Sequence, residues 1–361
     1  VEPLTSESAR RLRFPESTLL PGLVNAHVHL SLDAGEDPVA SLLDSEAADV
    51  AAGTAERAGQ LLRCGVTTAR DLGDRAAGAV LLRDAVSAGE LPGPRILAAV
   101  APLTPPGGHC WFFGGEVDGE RAIRDMVRRN AAVGADVIKV MASGGQITQG
   151  GANMWESQFD AAQLRVIVEE AARHGLPVAA HAHGTEAIVA SVAAGVHTVE
   201  HCTWMAGPGQ QERREDVALE MAARNIAVCS TSSSNWRMMV ERMGEEVASR
   251  VYGRLSWMDS LGVPLLTGTD AGLRGSVFDD FVGALELYEW LGFGNDRIVE
   301  LATVGSARAL GLGEETGQLA EGFCADLLVV DGDPLTDLTA LRDIRLVLAA
   351  GREHTPVAQE G

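Results

Sequence analysis

The sequence contains few cysteines. Five are scattered over 361 residues, and no two of them form a CxxC pair. An odd number of cysteines without metal-ligand spacing argues against both a disulfide framework and a cysteine-based zinc site. Each cysteine is therefore interpreted as a small buried residue.

Long apolar segments are also lacking. No run of residues approaches the ~18 consecutive apolar positions that a membrane-spanning helix needs. The first residues, VEPLTSESARRLRF, do not contain the apolar core of a signal peptide. From these absences we expect a cytoplasmic protein that does not bind a membrane.

Positive charge is scarce in this chain. Lysine and arginine total 29 against 50 aspartate and glutamate residues, which gives a formal net charge of -21. A field of that sign repels phosphate backbones, so we do not expect a nucleic acid partner. The expected partner is a small-molecule substrate, and the composition is compatible with a homo-oligomer.

The central part of the chain alternates between short apolar strands and alanine-rich amphipathic helices. Residues 160–175 illustrate the helices, with Leu164, Ile167, Val168 and Ala171 predicted on one face. Eight segments read as strands: 23–30, 66–73, 95–104, 136–143, 177–184, 198–202, 227–233 and 264–272. Strands that alternate with helices indicate parallel βαβ units.

Eight such units predict an α/β fold, a closed (β/α)₈ TIM barrel over residues 23–312. The alternative, an open doubly wound sheet, is disfavoured because no GxGxxG motif follows the first strand. Residues 313–361 read as short strands broken by Gly, Asp and Pro. Together with residues 1–22 they are predicted to form a small β appendage.

Unusual polar residues fall at the predicted carboxyl ends of these strands. His27 and His29 are separated by one residue, so both side chains lie on one face of their strand and can bind one ion. The other members of this predicted ring are Lys139, His181, His183, His201 and Asp270. Active sites of such barrels are built from the ends of several strands, so the ring predicts a metal-dependent catalytic site.

Several segments resemble motifs of the amidohydrolase superfamily: PGLVNAHVHL, DVIKVMASGG, HAHG, VEHC, TGTDAG and GFCADLLVVDGDP. They are most similar to the branch of Xaa-Pro dipeptidases, arginine and lysine carboxypeptidases and imidazolonepropionase-related proteins. Such relatives usually place several strands before the HxH motif. Only 22 residues precede Leu23 here, so the resemblance implies a reduced or clipped appendage.

The resemblance implies a pair of divalent metal ions, with zinc the best match to the ligands. His27, His29 and Asp270 would hold one ion, and His181 and His201 the other. A carboxylated Lys139 and a hydroxide would bridge them, and Asp270 would carry a proton from the attacking water to the leaving amine. From the residues alone, an ion pair between Lys139 and a carboxylate stays open.

Further residues are candidates for contacting the substrate. His183 shares a strand face with His181, so it is a candidate metal ligand, a substrate contact or a hydrogen-bonding support. The loop after the third strand carries His109, which resembles a group that polarises the scissile carbonyl. Trp111, Phe112 and Phe113 of that loop, and Trp155 of the next loop, are predicted to line the pocket, with local packing as the alternative. Arg274 is a candidate for a substrate carboxylate by position only.

The predicted function is hydrolysis of an amide C–N bond, in a dipeptide or an N-acyl amino acid. The alternative within enzymes is a cyclic amide, an aryl amide or a xenobiotic ester or amide on the same metal site. A catalytically silent binding barrel is the least favoured reading, because a complete ligand set is present.

Overall fold

The computed structural model describes residues 11–354. Its strands are β1 Ser17–Pro21, β2 Leu23–Val28, β3 Val66–Asp71, β4 Arg95–Ala98, β5 Ile138–Met141, β6 Val178–Gly184, β7 Thr198–Gly207, β8 Gln210–Gln211, β9 Ala227–Cys229, β10 Leu265–Leu266, β11 Leu327–Asp331, β12 Ile344–Ala349 and β13 Arg352–His354. All eight predicted strand segments overlap one of these strands, from β2 to β7 and then β9 and β10.

Helices separate most of the central strands, as the sequence predicted. They are α1 Pro38–Asp44, α2 Ala47–Arg63, α3 Gly78–Ala88, α4 Gly119–Ala132, α5 Ala161–Arg173, α6 Thr185–Ala194, α7 Glu215–Ala223, α8 Trp236–Met243, α9 Glu245–Tyr252, α10 Arg254–Ser260, α11 Phe281–Trp290, α12 Asn295–Glu300 and α13 Ser306–Ala309. Two 3₁₀ turns, Trp111–Phe113 and Leu338–Arg342, and one π-helical turn, Leu301–Gly305, complete the assignment.

The central strands form two parallel sheets. One has the order β2-β3-β4, and the other runs β10-β9-β7-β6-β5. Single bridges join the two sheets on both sides, Leu103 to Val140 and Val28 to Ala271. The α/β fold with parallel strands is thus confirmed, while closure into one continuous barrel stays a prediction.

Every residue of β2, β3, β5 and β6 is buried. Strands of parallel sheets are covered on both faces, which explains why these segments read as nearly continuous apolar runs. A histidine or lysine in such a strand can only face the interior or another element. The strands therefore fix the direction of the polar side chains at their ends.

Helix α5 shows how the local sequence determines an element boundary. Asp160 and Gln163 form a reciprocal capping box at its start. Leu164 and Ala171 are buried as predicted, whereas Val168 is only half-buried. The buried position not predicted is Glu170, whose carboxylate accepts from three arginines: Arg124 at 3.0 Å, Arg128 at 2.7 Å and Arg173 at 2.9 Å.

A four-stranded antiparallel sheet has the order β1-β11-β12-β13. Strand β1 pairs with β11 from Ser17–Asp331 to Pro21–Leu327. This sheet therefore combines a segment that precedes the central strands in the sequence with segments that follow them. The division into domains at residues 1–22, 23–312 and 313–361 stays a prediction. Residues 1–10 and 355–361 of that division lie outside the described part of the chain.

Between residues 11 and 354, no helix combines the length and the apolar character that crossing a bilayer would require.

Candidate metal and active site

A cavity of about 190 Å³ opens where β2, β5, β6 and β7 end. It is lined by His27, His29, His109, Cys110, Lys139, Met141, Gln146, Ile147, Met154, His181, His183, His201, Asp270 and Leu273. The structure thus brings together all six predicted metal ligands, with His109 and His183 beside them. Their assignment as ligands stays a prediction at this point.

The first group of donor atoms belongs to His27, His29 and Asp270. One carboxylate oxygen of Asp270 lies 3.2 Å from Nε2 of His27 and 3.3 Å from Nε2 of His29. Donor atoms of the three residues lie within 4.8 Å of one another, which is compatible with binding one ion. Asp270 reaches this position through a left-handed backbone conformation at φ 57°.

The second group comprises His181, His183 and His201. Their donor atoms also lie within 4.8 Å of one another. The ring centroids of His181 and His201 are 4.5 Å apart, and those of His183 and His201 are 4.3 Å apart. The geometry therefore places a donor atom of His183 in the same group as those of the two histidines selected by the resemblance.

Lys139 lies in β5 and is 1% exposed. No carboxylate of residues 11–354 lies within 4 Å of its amine, so the ion pair left open by the sequence is not formed. Burial lowers the pKa of Lys139, although Glu200 and Asp270 oppose this shift. A buried amine with a lowered pKa is more easily neutral, which is the nucleophilic form of lysine.

The protonation of the other side chains also suits a metal. Burial, aided by the proximity of other histidines and of Lys139, lowers the pKa of His181 and of His201 well below the ordinary value. The pKa of His183 is lowered by burial to about 3. Burial alone would raise the pKa of Asp270, but His27 and His29 hold it well below its usual range. Neutral imidazoles and an ionised carboxylate are the forms that coordinate divalent cations.

His109 comes from the loop that follows β4 and reaches the cavity beside His181. The two ring centroids are 4.6 Å apart, and His109 Nδ1 lies 3.2 Å from the Thr148 hydroxyl. Burial lowers the pKa of His109 to about 4. The segment containing Gly145 passes so close that a Cβ there would lie 2.3 Å from His109 Nε2, so only glycine fits.

The predicted aromatic pocket residues lie elsewhere. Phe112 and Phe113 are buried, and the Phe113 ring stacks on His29 with centroids 5.8 Å apart. Trp111 is 42% exposed, and Trp155 is half-buried. None of these four aromatic side chains lines the cavity, and the lining positions that sequence reasoning did not select are Cys110, Met141, Gln146, Ile147, Met154 and Leu273.

Two arginines near the site differ in environment. Arg274 is largely exposed, lies 3.6 Å from Glu36 and is not among the residues that line the cavity. Arg254 is buried, and its guanidinium donates to the backbone oxygen atoms of His201 and Val251. His201 itself has φ 67°, so Arg254 supports a bent part of β7. Nothing in the sequence pattern indicated Arg254.

Sequence reasoning also missed a carboxylate beneath His27. Glu200 Oε2 lies 2.8 Å from His27 Nδ1, and its other oxygen accepts from Arg70 at 2.8 Å. Burial alone would raise the pKa of Glu200, but Arg70 and His27 keep it below its ordinary value. The only available signal was the position of Glu200 next to His201 in VEHC.

Comparison with known proteins places this site in a family. The model of the amidohydrolase family matches residues 18–353, which is nearly the whole described chain. The chain belongs to the amidohydrolase family. The resemblance inferred from the sequence motifs is therefore confirmed, and so is the coarser functional prediction of a hydrolase that acts on amide bonds.

Individual members of the amidohydrolase family are similar over most of their length. Ochratoxinase of Aspergillus niger is 29% identical over 373 residues, covering 93% of this chain and 76% of the relative. The crystal structure of a Xaa-Pro dipeptidase with bound methionine in its active site has a TM-score of 0.82 at 26% identity, covering 94% and 87% of the two chains. A prolidase complexed with N-methylphosphonate-L-proline has a TM-score of 0.81 at 25% identity, covering 96% and 91%.

Proposed function

We propose that this chain is a binuclear metal-dependent hydrolase that cleaves the amide C–N bond of a dipeptide or an N-acyl amino acid. The observation that carries the proposal is the presence of two separate donor groups around one cavity. His27, His29 and Asp270 would hold one metal ion. His181 and His201 would hold the other, with His183 beside them.

Lys139 connects the two groups in this proposal. Its buried amine has no carboxylate partner within 4 Å in the described chain, which leaves it available for carboxylation by carbon dioxide. Carboxylation would convert the side chain of Lys139, ordinarily a cation, into an anionic carbamate with two oxygen ligands. Two nearby divalent cations would then stabilise a group that is otherwise costly to bury.

The metal pair, with zinc the best match, would supply Lewis acidity and lower the pKa of water. The protein's own groups account for the remaining chemistry. Asp270 is ionised and lines the cavity, so it can take a proton from the attacking water and deliver it to the leaving amine. His109 lines the same cavity and would polarise the substrate carbonyl.

The substrate class is supported by the family members and by the cavity. The similar structures include a Xaa-Pro dipeptidase and a prolidase holding a proline derivative. A cavity of about 190 Å³ suits a small substrate. We extend the proposal to the fold: the two parallel sheets, joined by bridges on both sides, form one closed eight-stranded barrel.

The similarity to ochratoxinase favours a second candidate. The name of that relative denotes action on a toxin, and it matches 93% of this chain. The second candidate is therefore hydrolysis of a xenobiotic amide or ester, or of a cyclic or aryl amide, on the same metal site. Fold and metal ligands do not distinguish these substrates.

The test is amino-acid release from a panel of dipeptides and N-acyl amino acids by protein prepared with zinc and bicarbonate. Release of the carboxyl-terminal amino acid, absent from the matched Asp270→Asn protein, is the expected result. Aryl and cyclic amides are tested beside this panel, and hydrolysis of these alone would support the second candidate. Absence of turnover on every substrate, with zinc bound, would indicate a catalytically silent barrel instead.

A further inference from the structure

The cavity histidines differ in what contacts their ring nitrogens. Five of the six contact a neutral oxygen atom: His29 Nδ1 with Gly73 O at 3.2 Å, His109 Nδ1 with Thr148 Oγ1 at 3.2 Å, His181 Nε2 with Gly144 O at 3.1 Å, His183 Nδ1 with Thr203 Oγ1 at 3.0 Å and His201 Nδ1 with Thr231 Oγ1 at 2.6 Å. His27 differs, because its Nδ1 contacts the carboxylate of Glu200 at 2.8 Å.

Glu200 is itself held in one orientation. Its Oε1 accepts from Arg70 Nη2 at 2.8 Å and from the Thr198 hydroxyl at 2.5 Å. Arg70 donates through Nε to the backbone oxygen of Ala26 at 2.8 Å, one residue before His27. Strands β2, β3 and β7 each contribute to this arrangement, and all of its side chains are buried.

The arrangement has a chemical consequence for His27. A carboxylate can only accept a hydrogen bond, so the proton of neutral His27 lies on Nδ1 and the lone pair on Nε2. Nε2 is the atom that faces Asp270 at 3.2 Å in the first donor group. A carboxylate partner also makes the imidazole a stronger metal ligand, and removing such a partner commonly costs 10–100-fold in metal affinity.

We propose that Glu200, anchored by Arg70, is a positioning residue that holds His27 in its metal-binding tautomer and strengthens the first half of the metal site. This inference rests on the metal assignment of the proposed function. It adds two residues, on β7 and β3, that neither touch the substrate nor ligate the metal.

Another cluster of donors in this region does not explain the arrangement. His27, Glu200 and Cys229 have donor atoms within 4.8 Å of one another and could in principle form a separate ion site. However, the Arg70 guanidinium already contacts Glu200, and its positive charge would oppose a cation placed there. Glu200 is therefore better explained as a partner of His27 than as a ligand.

A purely structural role is the alternative, since a buried Arg70–Glu200 pair also joins β3 to β7. Glu200→Gln would leave Arg70 without its carboxylate and lower stability for that reason alone. The double variant Arg70→Met/Glu200→Gln removes this complication. If the pair is only structural, the double variant regains both stability and zinc affinity; if our proposal is correct, it regains stability but not affinity.

The experiment measures zinc affinity by competition with a chromogenic chelator, and stability by thermal unfolding of the metal-free proteins. We expect Glu200→Gln and the double variant to bind one zinc equivalent about 10–100-fold more weakly than the unchanged protein. Thr231→Val, the matched change beneath His201, should have a smaller effect because it removes a neutral partner.

Three outcomes would overturn the inference. Zinc affinity unchanged in Glu200→Gln, whose amide oxygen can still accept from His27 Nδ1, would show that the negative charge of Glu200 does not strengthen His27 as a ligand, while the proposed function would stand. An equal loss in Thr231→Val would show that the charge of Glu200 is not the cause. Absence of zinc binding by the unchanged protein would overturn the metal assignment and this inference together.

Discussion

Two parts of the site differ in how strongly the structure determines their side-chain positions. The floor of the cavity consists of the polar residues at the strand ends, and the rim is the loop that carries Trp111, Phe112 and Phe113. On the floor, every predicted polar residue from His27 to Asp270 lines the cavity, as its position at a predicted strand end indicated. On the rim, the predicted aromatics lie away from the cavity: Phe113 is buried behind His29, and Trp111 faces solvent. Strands paired on both sides hold side-chain direction, whereas loops set it by local packing.

Replacing Lys139 by alanine should have the largest effect on the metal-binding residues of the floor. We expect zinc binding to be lost and turnover to fall by more than about three orders of magnitude, because several kcal/mol of transition-state stabilisation depend on the metal pair. Metal content after dialysis and turnover on the best substrate measure this. Circular dichroism serves as the folding control, and retention of both zinc and activity would contradict the carbamate proposal.

Asp270→Asn tests the proton carrier of the floor. The amide keeps the size of the side chain but cannot accept the proton, so kcat should fall about 10²–10⁴-fold. Single-turnover kinetics and far-ultraviolet circular dichroism check the chemistry and the fold separately. Turnover near that of the unchanged protein would mean that another group carries the proton.

Phe113→Ala tests whether a residue of the rim loop contributes to zinc binding by the residues on the floor. Removal of this buried ring should lower the free energy of unfolding by about 3–5 kcal/mol. Because the ring stacks on His29, we also expect weaker zinc binding.

Phe112→Ala is the matched control for that change. Phe112 is also buried, and its ring packs on Phe113 with centroids 4.7 Å apart. Both variants should be destabilised similarly in chemical denaturation, but only Phe113→Ala should weaken zinc binding. Equal zinc affinity in the two variants would show that the stack on His29 has no role in the metal site.

Trp111→Ala should have the smallest effect. The side chain is 42% exposed and does not line the cavity, so stability should change by no more than about 0.5 kcal/mol. The KM should stay within about threefold of the unchanged value. A KM increase above about tenfold would return Trp111 to the substrate-binding role that its sequence position suggested.

The sequence was sufficient for the parts of the molecule governed by repeating patterns. Alternation identified the parallel strands, and the two-residue period correctly placed His27 beside His29 and His181 beside His183. It also located the group that would carry the proton, Asp270, at a strand end. The family resemblance was confirmed by the match over residues 18–353.

Other features depend on contacts between distant segments and leave no local pattern. Glu200 accepts a hydrogen bond from Arg70, which lies 130 residues away in the sequence. Neither residue can be identified as part of the site without knowing that the two are in contact. Strand β10 is only two residues long, and Asp270 lies four residues beyond its end in a left-handed backbone conformation. The sequence left the role of the aromatic loop open, because its apolar rings suit a core as well as a pocket wall.

The antiparallel sheet has a consequence for how this chain is made. Ser17 hydrogen-bonds Asp331 across 314 residues, so β1 lacks its partner until the segment around residue 331 has left the ribosome. Contacts of such long range are slow to form, and the unpaired strand stays exposed meanwhile. The β1–β11 pairing is therefore expected to follow the folding of the central strands during biosynthesis, and Leu20, which is buried in the folded protein, is exposed until then.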